Sequence, residues 1–264
     1  MKRITFYLFA LLCFIPSSLM AQDADVDGGK SDDLETNHTI GIEKKLTKQL
    51  NIALDAEYRT RDYYREFDRV SISPSVEYKF IKNLKLTLGG AYVYVNNDAK
   101  EKLRSDGSLK WQRQPYWAPR YRGYAAVTGD IDLGRFNIAL RERYQLTYRS
   151  KYTAIRNYYT RDGEFNYSED DIRESQTNQV LRSRLLISYD IRHCAFSPFA
   201  SVEITNDLVD DFSVAKLRYA LGVDWKVNKH NILEFGYMYQ DVRCDDGEDD
   251  VNSHILSVGY KYKF

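Results

Sequence analysis

Apolar residues recur at every second position through most of the chain. Leu50, Ile52, Leu54, Ala56 and Tyr58 alternate with Asn51, Ala53, Asp55, Glu57 and Arg59. Val70, Ile72, Pro74, Val76, Tyr78 and Phe80 alternate with Ser71, Ser73, Ser75, Glu77 and Lys79. The pattern returns at 84–94, 121–131, 136–148, 185–191, 196–204, 217–227 and 233–239, and it closes the chain, where Leu256, Val258, Tyr260, Tyr262 and Phe264 again take alternate positions. A period of two predicts β-strands with one apolar and one polar face.

A soluble sandwich and a membrane barrel share that pattern, so the connections decide between them. Short links fall at 47–49, 81–83, 133–135, 193–194 and 228–230, and longer polar ones at 63–69, 97–118, 150–178, 206–213 and 243–250. Tight turns on one side and long loops on the other are the barrel layout, with turns in the periplasm and loops outside the cell. After residue 21 no stretch approaches 18 apolar residues, so no helix spans a membrane. The remaining way to satisfy every backbone group in lipid is a closed barrel. The sequence therefore predicts an all-β fold, a transmembrane antiparallel up-and-down barrel of about 10 to 12 strands. Twelve is preferred, since bacterial single-chain barrels have even numbers, and the first strand is expected at 36–46.

Residues 1–21 read as a secretory signal: Lys2 and Arg3, an apolar run over 4–15, and small residues up to Ala21. The run is too short for a spanning anchor. The expected organisation is a signal peptide at 1–21, an acidic leader at 22–35 and the barrel at 36–264, in the outer membrane of a Gram-negative bacterium after cleavage. Cleavage leaves 36 basic against 38 acidic residues, a net charge of −2, which argues against nucleic acid as a partner. The terminal run ending at Phe264 resembles the closing-strand signal read by the outer-membrane barrel assembly machinery. That machinery, periplasmic chaperones, outer-membrane lipids and lipopolysaccharide are the expected partners; the sequence does not set an oligomeric state.

Composition sharpens the location. Tyrosine is unusually frequent, 22 in 264 residues, in a chain whose mean hydropathy is only −0.55. Tyr58, Tyr78, Tyr92, Tyr94, Tyr144, Tyr148 and Tyr219 fall on the apolar parity, as do Tyr189, Tyr237 and Tyr239. There a ring is buried in lipid while its hydroxyl reaches the headgroups, as in barrel girdles.

With the strands placed, the chain resembles the Bacteroidetes-type outer-membrane barrels grouped as domain of unknown function 2490. The matching stretches are GIEKKL (41–46), REFDR (65–69), RYR (120–122), LRERY (140–144), KLRYALG (216–222) and GYKYKF (259–264). The resemblance spans 36–264 and implies a fold and a location, not an activity.

Candidate chemistry concentrates on the inward parity, which carries both signs. Glu57, Glu77, Glu203, Glu234, Asp190 and Asp224 stand against Arg122, Arg141, Arg143, Arg182, Arg184, Arg192 and Arg218. One reading is an ion-paired plug, in which each carboxylate finds a guanidinium fork. The other is a narrow pore for small polar or anionic solutes, although an anion pore should show rings of one charge. A structural barrel or such a pore is the favoured function. The alternative is a membrane-embedded lipid-modifying enzyme of the acyl hydrolase type, acting in the outer leaflet. For that chemistry the candidates are His38 and His254, near the exterior ends of the first and last strands, which closure would make neighbours. Ser253 points inward by parity, and His193 and His230 sit at turns.

Asp23, Asp25, Asp27 and Gly28 begin like a calcium loop, but the twelfth position is Leu34 and Glu35 comes one residue late. A solvated acidic leader is favoured over a metal site, and no cofactor is expected. The acidic run at 245–250 is read as a wet loop. Cys194 and Cys244 fall toward opposite ends of the barrel, farther apart than the ~7 Å between Cα atoms that a disulfide allows, so two free thiols are expected.

Overall fold

The computed structural model describes residues 33–209, 211–243 and 251–264. The targeting segment, Asp23, Asp25, Asp27, Cys244 and the acidic run at 245–250 lie outside the described residues. Fifteen strands follow in chain order: β1 (Asp33–Lys45), β2 (Leu50–Arg61), β3 (Glu66–Ile81), β4 (Leu84–Asn97), β5 (Lys100–Leu103), β6 (Leu109–Arg113), β7 (Tyr116–Leu133), β8 (Phe136–Arg149), β9 (Tyr152–Tyr159), β10 (Phe165–Arg173), β11 (Gln176–Tyr189), β12 (Phe196–Asp207), β13 (Val214–Lys226), β14 (Asn231–Val242) and β15 (Val251–Lys263).

Eleven of them close into one barrel, in the order β1-β15-β14-β13-β12-β11-β8-β7-β4-β3-β2. The count lies within the expected range but is not the preferred twelve, and closure is not antiparallel throughout. An odd number of up-and-down strands leaves the first and last running the same way. Accordingly β1 and β15 pair in parallel, from Asp33 beside Ser253 to Glu43 beside Lys263, while every other neighbouring pair is antiparallel. Strand β1 begins at Asp33 rather than near residue 36, so the end of the acidic stretch is part of the wall.

The alternation read from the sequence is realised as a lipid-type outer face. Ile40, Leu88 and Leu221 are 60%, 53% and 62% exposed, which a water-soluble protein would avoid in so continuous a band. Aromatic pairs mark both ends of this band: Phe196 stacks on Trp225 at 5.6 Å near one rim and Tyr94 on Trp117 at 5.1 Å near the other. Such rings sit where apolar band meets polar surface.

Tight turns connect the strands at one end. Two are only two residues long, Lys82-Asn83 between β3 and β4 and Gly134-Arg135 between β7 and β8, and Gly134 adopts φ 66°, a left-handed geometry that glycine takes without a Cβ penalty. At the other end, the turn after β2 holds Asp62, Tyr63 and Tyr64 at φ 48°, 53° and 68°. Strand β1 braces it: the Asp62 N–H donates to the Asp33 carboxylate at 2.9 Å and the Tyr63 N–H to the Leu34 carbonyl at 3.2 Å.

The two longest connections are not plain loops. Stretches 97–118 and 150–178 contribute hairpins β5·β6 and β9·β10, joined through β6 and β9 into a second sheet ordered β10-β9-β6-β5. Arg104 staples the hairpins by donating to the carbonyls of Leu109 at 2.6 Å, Tyr159 at 2.5 Å and Thr160 at 3.2 Å. Arg156 packs over the Trp111 ring at 4.7 Å and pairs with Asp171 at 2.7 Å. Its hydrogen bond to the Tyr158 hydroxyl, together with Asp171, holds the guanidinium above its usual pKa. In the β5–β6 turn, the Ser108 hydroxyl and N–H donate to Asp106 and hold its carboxyl below the usual range. Arg104→Ala removes three charge-assisted bonds from exposed strands. We expect much faster proteolytic nicking of 97–176, with the barrel's heat-modifiable migration on gels unchanged.

Candidate functional site

The barrel lumen is built by parity. Inward positions are odd on β1, β2, β8, β12 and β15 and even on β7, β11, β13 and β14, so charges scattered through the sequence converge on one interior. They surround a cavity of about 530 Å³. Its described lining holds nine Lys and Arg (Arg59, Arg69, Arg122, Arg143, Arg182, Lys216, Arg218, Lys261 and Lys263) against four acids, Asp55, Glu57, Asp224 and Glu234. Along β3 and β4 the lining residues include Ser71, Ser73 and Ala91, whose short side chains leave the space open.

One carboxylate organises the arginine side. Glu203, on β12, is 6% exposed. Arg182 reaches its Oε1 at 2.5 Å through Nη2, Arg218 reaches the same oxygen at 3.3 Å, and Arg141 reaches Oε2 at 3.1 Å. The register explains the convergence, because Arg218 lies directly opposite Glu203 on β13 while Arg182 and Arg141 approach from β11 and β8 on the other side. Gln145 and Gln240 hold the arms of Arg182 and Arg218 at 3.3 and 2.8 Å. Three guanidinium groups on one carboxylate leave a local excess of positive charge.

Arg143 is held differently. No carboxylate among the described residues pairs with it; its guanidinium lies 4.2 Å over the Tyr124 ring, a cation–π contact. The ring is in turn seated against Gly89, where a Cβ would come within 2.3 Å of Tyr124 Cζ. A glycine thus makes room for a tyrosine, and the tyrosine presents an arginine to the cavity.

The two ends of the lumen differ. Toward the long loops, Arg61, Asp68, Arg69 and Arg120 are all 7% exposed or less. Asp68 meets Arg69 at 2.7 Å and Arg61 at 3.5 Å, and Arg61 also binds Glu66, Asp98 and the Asn96 carbonyl. Toward the short turns, Glu234 and Lys261 are exposed and Glu43 and Lys263 half-exposed. Buried ion pairs therefore crowd the long-loop end of the lumen, while the charged groups toward the short turns are open to solvent.

Of the residues expected in the lumen, Glu57, Arg122, Arg143, Arg182, Arg218, Asp224 and Glu234 line the cavity, and Arg141 and Glu203 sit in the hub behind it. Arg184 faces inward opposite Arg141 and Glu203, and Glu77 lies nearer the short turns, opposite Asn51 and Thr87. Asp190 and Arg192 are corrections: β11 ends at Tyr189, so both are exposed in the turn rather than inward on a strand. Tyr124, Arg59, Arg69, Lys216, Lys261 and Lys263 were not anticipated, although all fall on inward positions of predicted strands or their ends.

His38 and His254 do lie on neighbouring strands, but the parallel register sets His38 beside Val258 and His254 beside Leu34. Four residues of offset separate the imidazoles by roughly 13 Å along the strands. His254 Nδ1 is 2.6 Å from the Tyr237 hydroxyl, His38 packs near Tyr58, and Ser253 is buried inside. The geometry does not assemble the acyl-transfer pair. Leu256, Val258, Tyr260 and Phe264 face outward on or just after β15, with Tyr262 among them by parity. Cys194 is a free, exposed thiol in the turn before β12.

A family profile described as "Protein of unknown function (DUF2490)" matches residues 37–252. The chain belongs to that family. No match was found among curated proteins. Among solved structures it is similar to the β-domain of the Bordetella autotransporter BrkA, with TM-score 0.56, 14% identity and coverage of 83% of this chain and 86% of that one. It is also similar to the translocator domain of the autotransporter NalP from Neisseria meningitidis, with TM-score 0.53, 15% identity and coverage of 82% and 76%. A NanC porin structure aligns over 88% of this chain and 99% of its own length at 13% identity and TM-score 0.48. At these identities the likeness concerns the fold, a closed transmembrane-type β-barrel.

Proposed function

We propose that this DUF2490 protein is an outer-membrane barrel whose lumen is a narrow, anion-preferring passage for small solutes. The observation that carries the reading is the nine-to-four excess of basic over acidic side chains around the 530 Å³ cavity. In a space walled by low-dielectric barrel, such an excess attracts anions and repels cations more strongly than it would in water. Guanidinium groups suit carboxylate and phosphate oxygens, so the favoured solutes carry one of those groups. The paired Arg61, Asp68 and Arg69 form the constriction, which limits the passage to small molecules.

Purified protein in a planar bilayer under a KCl gradient tests this reading. We expect small conductance steps with a reversal potential on the anion-preferring side, and a several-fold lower chloride-to-potassium permeability ratio in Arg143→Gln. Folded protein that inserts without conductance steps would favour the ion-paired structural plug instead.

A further inference from the structure

The outer face of the barrel contains one charge that the lumen does not use. Among the described residues, Glu142 is the single charged side chain at an outward position of a barrel strand away from the strand ends. It sits mid-way along β8, between outward apolar residues at 136, 138 and 140 and at 144, 146 and 148. With strands tilted about 40° and rising ~3.4 Å per residue, that position is near the centre of the hydrocarbon band.

Its one hydrogen-bond partner is Ser183, directly opposite on β11 and also facing outward, whose hydroxyl donates to Glu142 Oε2 at 2.6 Å. The pair is incomplete in either protonation state. Ionised, the carboxylate has no counter-charge; protonated, it can donate to the Ser183 oxygen, but the serine hydroxyl then loses Oε2 as its acceptor. Lipid chains supply neither. Beside it on β7 stands outward Val127, an apolar side chain that offers the carboxyl no partner.

We infer that this patch is the contact surface between two copies of the chain in the membrane, each Glu142 completing its hydrogen bonding on the other copy's Glu142 and Ser183. Copies inserted the same way up are related by an axis along the membrane normal, so every residue meets partners at its own depth. At the depth of Glu142 the other outward faces of this barrel are apolar. A second copy can therefore satisfy it only by presenting the same patch. A carboxylic acid suits that arrangement because it both donates and accepts.

The test uses the full chain reconstituted in lipid bilayers, with Cys194→Ser and Cys244→Ser as background. Leu140→Cys, beside Glu142 on the outer face, should form an oxidant-induced disulfide dimer, and Leu54→Cys on the far side of the barrel should not. Adding Glu142→Leu should cut the Leu140→Cys cross-link by about tenfold, while Glu142→Gln, which still donates and accepts, keeps most of it. Heat-modifiable migration confirms that each variant is folded. Cross-linking at position 140 no greater than at 54, or undiminished by Glu142→Leu, would overturn the inference; a chain that stays monomeric in lipid would point to a different membrane partner. The readout is independent of conductance, so it stands or falls apart from the passage reading.

Discussion

Glu203→Gln should destabilise the barrel by about 3–5 kcal/mol, the cost of stripping a buried charge network of its one counter-ion. The side chain is 6% exposed and pairs with Arg141, Arg182 and Arg218 together. Glutamine keeps the shape and two hydrogen-bonding atoms but leaves three guanidinium groups facing one another in a confined space. The effect should be read as a lower temperature at which the compact gel band converts to the slower one. Adding Arg182→Gln, which relieves the repulsion, should restore part of the loss, so the double variant is more stable than Glu203→Gln alone. If the single variant melts with the parent, water reaches the hub freely and the lumen is far wetter than its packing implies.

That hub shows what could be read from the sequence and what could not. Parity alone put Glu203, Arg141, Arg182 and Arg218 inside, because a period of two admits no other face once the apolar side is assigned to lipid. It could not say that three of them share one carboxylate, since that depends on the stagger between β8, β11, β12 and β13. The same limit explains the histidines: strand adjacency was legible, but the parallel register that holds His38 and His254 apart was not. The range of 10 to 12 strands was legible and holds the observed eleven, but the preference for twelve was not met, as whether β1 meets β15 in parallel is a property of closure rather than of any segment. The hairpins β5·β6 and β9·β10 escaped because strands of four to nine residues, with β10 exposed along most of its length, show no contrast between faces. Glu142 was legible throughout as the one acid interrupting the outward run of β8. Its meaning needed Ser183 opposite it.

Gly89→Val should disturb both the fold and the passage, and the two readouts together distinguish positioning from mere loss of stability. Glycine has no φ requirement at this place in β4; what it supplies is the space taken by the Tyr124 ring, 2.3 Å from where a Cβ would stand. Valine drives the ring out of its seat, at an overpacking cost of about 1–3 kcal/mol. Displacing the ring also removes the surface on which Arg143 lies at 4.2 Å, so the guanidinium loses its fixed place in the cavity. We therefore expect a lower melting temperature together with a reduced anion preference close to that of Arg143→Gln. Tyr124→Phe keeps the ring face and should leave the preference near the parent value, whereas Tyr124→Leu, without a π-face, should lower it while relieving no clash. A Gly89→Val barrel that melts early yet keeps its full anion preference would show that the remaining basic side chains, not the tyrosine-held arginine, set the selectivity of the lumen.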